Sequence, residues 1–164
     1  MTITLVSLQD FEQVKDNITI SSKFQKDGVS LNYFFSPQLC ITIYKPRFRI
    51  VQNKYVVIEF SKDKHKSLLY MFKGINNYLK GLIPNTFLCY DFFSEQEDSF
   101  TIRLSLPQTK YKNAIISENK SGEQISFQLP VVNSEPSLIT ILFKNIWQIN
   151  SKGGFNIELK HIKY

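Results

Sequence analysis

Leu138-Ile139-Thr140-Ile141-Leu142-Phe143-Lys144-Asn145-Ile146-Trp147-Gln148 is followed, across Asn150-Ser151-Lys152-Gly153-Gly154, by Phe155-Asn156-Ile157-Glu158-Leu159-Lys160-His161-Ile162-Lys163. Two runs rich in β-branched and aromatic residues bracket a glycine-containing turn, which is the pattern of a long β-hairpin. The rest of the chain is read outward from this piece. Residues 18–24 and 29–35 predict a second hairpin, turned by Lys26-Asp27-Gly28. Residues 39–44 alternate and stop before Pro46, which cannot donate to a ladder. Residues 48–51 and 55–60 flank a reversal at Gln52-Asn53-Lys54.

Over residues 63–80 the period changes. Leu68, Phe72, Ile75, Leu79 and Leu82 fall on one stripe of an amphipathic helix, stopped by Gly81 and Pro84. Strands resume at 86–93 and 100–106, joined by the acidic loop Ser94-Glu95-Gln96-Glu97-Asp98. A further pair is expected at 111–117 and 124–129. With 164 residues, 43% of them hydrophobic, there is material for one core, so a single domain over residues 1–164 is expected. Alanine occurs once against 19 isoleucines, which favours strands over helices. The expectation is a mainly β fold, about nine strands with one helix.

The charge is segregated along the chain. Residues 44–81 carry +7 of a total of +6, while 82–99 carry −4. A net positive field attracts polyanions. If residues 45–49 are extended, Lys45, Arg47 and Arg49 project from one face, and Phe48 and Ile50 from the other. Tyr44 and Tyr55 flank this basic stripe, where a ring can stack on an unpaired base while cations hold phosphates. Lys54 lies in the reversal beside Tyr55, and Lys62, Lys64 and Lys66 form a second basic group at the helix start, where cations oppose the helix dipole.

Several kinds of chemistry lack support. The two histidines, His65 and His161, have no metal-ligand spacing to a cysteine, and no phosphate-binding or dinucleotide-binding glycine motif occurs, so neither cofactor, metal nor enzymatic activity is expected. Cys40 and Cys89 each sit in an apolar stretch and predict buried free thiols in a reducing intracellular compartment. The first ten residues lack a basic region ahead of an apolar run, and no stretch is apolar enough to span a bilayer as a helix, so no membrane partner is expected.

The terminal segment from Leu138 to Trp147, its glycine turn and the return from Phe155 resemble the closing hairpin of phage and large-DNA-virus single-stranded DNA-binding proteins. Lys45-Pro46-Arg47-Phe48-Arg49, then Tyr55-Val56-Val57-Ile58-Glu59-Phe60 and a helix, is similar to that family's earlier strand, strand, helix order. The resemblance implies an oligonucleotide-binding (OB) fold, a Greek-key β-barrel with one helix, holding single-stranded DNA with little sequence preference. On it, Lys144, Trp147 and Lys152 of the terminal hairpin join the central aromatic and basic residues as candidate nucleic-acid contacts. Replication proteins and a second copy of the chain are the further partners it implies. Many relatives end in an acidic tail, whereas this sequence ends Lys163-Tyr164. The competing expectation is a viral structural or interaction protein with a jelly-roll-like β-sandwich and no nucleic-acid activity.

Overall fold

In a computed structural model, described over residues 2–25, 27–107 and 115–164, the chain is mainly β. Its elements run β1 (Thr2–Leu5), α1 (Leu8–Val14), a 3-10 turn (Lys15–Asn17), β2 (Thr19–Phe24), β3 (Ser30–Tyr44), β4 (Arg47–Val51), β5 (Tyr55–Ser61) and α2 (Lys66–Leu82). They continue with β6 (Leu88–Cys89), β7 (Phe93–Glu95), β8 (Ser99–Ser105), β9 (Ile116–Glu118), β10 (Gln124–Ile125), β11 (Leu138–Ile149) and β12 (Lys152–Lys163).

The terminal hairpin forms the centre of the sheet, and the strand order is β1-β3-β11-β12-β8-β5-β4. β11 pairs antiparallel with both β12 and β3 along nearly its whole length. On the inner face Ile41, Ile58, Phe100, Ile141, Phe143 and Leu159 are buried, and α2 lays Leu69, Phe72, Ile75 and Leu79 against them. Phe72 anchors the helix edge-on to Phe60 and Phe92 at 6.2 and 5.1 Å. Aromatic pairs of this geometry add to the burial of their area.

The sheet is open. The outer edge of β4, where a closing strand would pair, is taken by the loop before β11: Phe48 N–H donates to Ser134 O at 3.1 Å, and Asn133 N–H to Phe48 O at 2.7 Å. β1 is only four residues long and lies parallel to β3 at the far edge. A closed barrel, as the sequence led us to expect, is therefore not what these pairings make.

Other expectations change in detail. A second helix is present: α1 is capped by Ser7, whose side chain accepts Asp10 N–H at 3.2 Å. Its seven residues are too few for an apolar period to emerge. α2 spans Lys66–Leu82, starting three residues late, because Ser61 O accepts His65 N–H and closes a turn first. The segments expected at 29–35 and 39–44 are one long strand, β3. The strand expected at 86–93 divides into β6 and β7, because Asn76 on α2 holds the chain between them, donating to Asp91 Oδ1 at 2.8 Å and accepting Phe92 N–H at 3.2 Å. Of the strand expected at 111–117, residues 111–114 lie outside the described residues, and only residues 116–117 fall in β9; its expected partner at 124–129 shrinks to β10. Twelve strands are present among the described residues, against about nine expected.

Candidate nucleic-acid interface

The site begins with an irregularity in β11. Between Phe143 and Asn145 the pairing with both neighbours shifts: against β12, Lys144 is an extra residue in the strand, and against β3 the step passes over residues 35–38 of β3. A bulge of this kind re-aims the side chains beyond it. Phe143 points into the core, whereas Asn145, which simple alternation would also send inward, turns to the outer face. The same shift sends Trp147 outward and Ile146 inward.

Two rows of side chains cross the central strands on this outer face. One runs Asn32, Trp147, Gly154, and the other Phe34, Asn145, Asn156. The amides are joined into a ladder. Ser105 Oγ donates to Asn156 Oδ1 at 3.2 Å, Asn156 Nδ2 to Asn145 Oδ1 at 3.3 Å, and Asn145 Nδ2 to Asn32 Oδ1 at 3.1 Å. The four groups come from β8, β12, β11 and β3. Asn156 and Asn145 each spend one amide N–H on the next residue of the ladder and keep a second, while Asn32 ends the ladder as an acceptor. Trp147 lies over Gly154, where a Cβ would meet Nε1 and Cζ2 of the indole at 3.3 Å. Gly153 has a stricter requirement: a Cβ there would collide with the Trp147 carbonyl and the Phe87 ring.

Above this floor is a cleft of about 800 Å³, walled by Phe34, Tyr90, Asp91, Arg103, Lys144 and Trp147. It opens where β12 passes from β6, its partner at Lys152 and Gly153, to β8, its partner at Glu158. Arg103 lies 4.0 Å over the Tyr55 ring, and Lys144 Nζ is 3.5 Å from Glu158. Asp91 is tied to Lys80 at 2.8 Å. The Lys80 hydrogen bond first, then that of Asn76, holds its carboxyl below the usual carboxylate value. Lys23, opposite Asn32, and Lys152, opposite Ile149, continue the same face toward the hairpin tips.

Of the residues expected from the sequence, Tyr55, Lys144, Trp147 and Lys152 lie on this face. Tyr44, Lys45, Arg47 and Lys64 gather elsewhere, around a hollow of about 580 Å³ that Glu59, Asp98 and Glu135 also line. Lys64 and Lys66 share another hollow, between the starts of α1 and α2. The expected stripe does not form. Lys45 sits in a turn at φ +51°, ahead of the strand, and a shift between Phe48 and Ile50 leaves Ile50 exposed beside Arg49. Phe48 is fully buried, so its ring belongs to the core.

Several cations of the block have partners. Arg47 donates to Asn133 at 3.3 Å, Arg49 lies 3.9 Å from Glu59, and Lys62 lies 3.4 Å from Glu95. Lys54 is exposed in the β4–β5 turn. Tyr44 and Tyr55 stand near opposite ends of the β4–β5 pair, Tyr44 at the Glu59 hollow and Tyr55 opposite Ser105. Sequence reading missed Asn32, Phe34, Tyr90, Arg103, Asn145 and Asn156. One signal was present: two successive polar residues, Lys144 and Asn145, interrupt the apolar run of β11.

No family model and no curated protein sequence matches this chain. Among solved structures it is similar to the crystal structure of a single-stranded DNA-binding protein encoded by bacteriophage T7. The identity is 8% and the TM-score 0.44, over 77% of this chain and 85% of that one. At that similarity the interface stands on its own residues. Among the described residues no cluster of three His, Cys, Asp or Glu could hold a metal ion, and no helix is long and apolar enough to cross a membrane.

Proposed function

We propose that the chain binds single-stranded nucleic acid, DNA in preference to RNA, across its outer face, with bases stacked on Trp147 and phosphates held by Arg103, Lys144, Lys152 and Lys23. The observation that carries this reading is the amide ladder Asn32, Asn145, Asn156, Ser105, laid beside Trp147 and beneath two cations in one cleft. Unspent amide donors reach phosphate oxygens or base edges, and an indole stacks on any base, so affinity comes with little dependence on sequence. The overall charge of +6 adds attraction at longer range.

The sheet is read as an opened variant of the oligonucleotide-binding architecture, with β3, β11 and β12 as its binding face. The protein is read as a binding protein without catalysis, acting on strands exposed during replication or recombination, alongside replication proteins. Buried Cys40 and Cys89, whose thiols are pushed up by desolvation, accord with a reducing intracellular compartment.

Trp147 is the only tryptophan, so its fluorescence reports the cleft directly. Titration with oligo-dT at several salt concentrations is expected to quench that emission, with log K falling linearly in log salt. Absence of quenching, a flat salt dependence or a preference for duplex would each reject the reading. Oligo-rU at equal length tests the preference for DNA.

A further inference from the structure

β2 pairs with β3 on one side and has no strand partner on the other among the described residues. Its sequence, Thr19-Ile20-Ser21-Ser22-Lys23-Phe24, contains no proline, and Phe24 is 64% exposed. Natural sheets usually blunt such an edge, because its free N–H and C=O groups are a template for another strand.

The phase of those free groups is fixed. Gln25 N–H donates to Ser30 O at 2.8 Å, one step beyond the Phe24↔Leu31 pair, so Gln25 and Ser30 form a hydrogen-bonded pair of the ladder. In an antiparallel ladder such pairs alternate with pairs whose groups point away. Thr19, Ser21 and Lys23 therefore bond to β3, and Ile20, Ser22 and Phe24 present their backbone groups to the open edge.

We propose that this edge is the contact with a second copy of the chain: two β2 strands pair antiparallel about a two-fold axis through Ser22. In this register every outward group is used. Ser22 meets Ser22 of the second copy, and Ile20 meets its Phe24 on both sides of the axis. A symmetric interface requires such self-complementarity. The exposed Phe24 ring gains an apolar partner, since Ile20 already packs against the core. Small serines lie at the axis, and each Lys23 faces a Ser21 rather than the other Lys23. Moving the axis to Ser21 would leave Phe24 without an opposite residue in β2 and use fewer of the outward groups.

The pairing also has a consequence for binding, which rests on the function proposed above. Ser21 and Lys23 share the outer face with Phe34 and Asn32. Joining two β2 strands makes the two outer faces one surface, with a lysine on each side of the junction. A strand long enough to reach both clefts then favours the dimer, because its phosphates offset the repulsion between the two lysines.

The register is tested by cysteine cross-linking without nucleic acid. Ser22→Cys brings two thiols across the axis at a Cα separation of about 5.5 Å, within disulfide range. Ser21→Cys places them two residues out of register. Cys40 and Cys89 are buried and do not compete. Under mild oxidation, Ser22→Cys is expected to convert mostly to a covalent dimer and Ser21→Cys to remain monomeric. Sedimentation equilibrium is expected to show wild-type mass rising toward two chains with concentration, and Ser22→Lys holding at one.

Equal cross-linking of the two cysteine variants, or a single-chain mass for wild type at several hundred micromolar, would overturn the proposal. Neither readout involves oligonucleotide, so failure here is distinguishable from failure of the binding reading. If the dimer forms, oligonucleotides long enough to span two clefts should bind wild type at least tenfold tighter than Ser22→Lys, while short ones bind both equally; no difference at either length would reject the joined surface.

Discussion

Residues 44–66 and the cleft floored by Asn145 present opposite relations between sequence and surface. The first region is the densest in cations, yet its hollow gathers Lys45, Arg47 and Lys64 with Glu59, Asp98 and Glu135, three of each sign. The second has no charge run at all, and its ladder draws one residue each from β3, β8, β11 and β12. Linear charge density raises a long-range field, which is largely screened beyond roughly 8–10 Å at physiological salt. Holding a strand requires donors, rings and cations converging on one concavity. In the first hollow the Tyr44 ring and three cations share the space with three carboxylates, whereas only the second region sets a ladder of amides beside its ring and cations.

The most severe way to break this contrast is to remove the ring. Trp147→Ala is expected to weaken oligo-dT binding by about 1–3 kcal/mol, roughly 5- to 150-fold in fluorescence anisotropy. Tyr44→Ala, on the exposed tyrosine of the basic region, is expected to change it less than twofold. If Tyr44→Ala were the more damaging substitution, the strand would lie in the wrong region and the comparison would invert.

The ladder carries the next effect, on stability. Asn145 is 5% exposed, and Asn145→Ala leaves Asn32 Oδ1 and Asn156 Nδ2 without their partner. The expected cost is about 1–3 kcal/mol in urea denaturation. Arg47→Ala removes one exposed bond to Asn133 and should stay within about 0.5 kcal/mol. A smaller effect separates the cations by role. Arg103→Gln is expected to lower the magnitude of the salt slope by about 0.7, the value for one phosphate contact to a single strand. Lys62→Gln, whose amine already faces Glu95, should leave the slope unchanged.

The terminal hairpin was legible because two runs rich in β-branched and aromatic residues bracket a glycine turn, with a period of two that holds from Leu138 to Phe143. The stripe of α2 was legible for the same reason at its own period. What escaped depends on pairing between distant segments. Asn145 faces outward only because of a bulge, and the meaning of Asn32 lies 113 residues away in sequence. Trp147 could be singled out as a lone aromatic, but its orientation depends on Gly154 lacking a side chain across the hairpin. Opening of the sheet was equally hidden, since it follows from residues 133 and 134 occupying the edge of β4. The basic block misled because alternation was extended through Lys45 and Arg49, where the backbone turns and the register shifts.

Acid provides the finest distinction between the two regions. Asp91 on the cleft wall accepts from Lys80 and from buried Asn76, and both bonds favour its charged form against some desolvation. Glu95, which faces Lys73 and Lys62, is lowered as well, chiefly by the Lys73 hydrogen bond. For either group, a folded-state value below the ordinary one means that its stabilisation is complete above the unfolded value, 3.8 for Asp91 and 4.5 for Glu95, and is lost as pH falls through the folded value. Urea midpoints taken from pH 5 down to pH 3 should therefore fall for wild type. Asp91→Asn should flatten that decline more than Glu95→Gln does, because Asp91 also accepts from the buried amide of Asn76, which holds the chain between β6 and β7, whereas Glu95 is joined to lysine amines. Equal flattening by the two would mean that the cleft wall is no more firmly set than the exposed ion pairs beside the basic region.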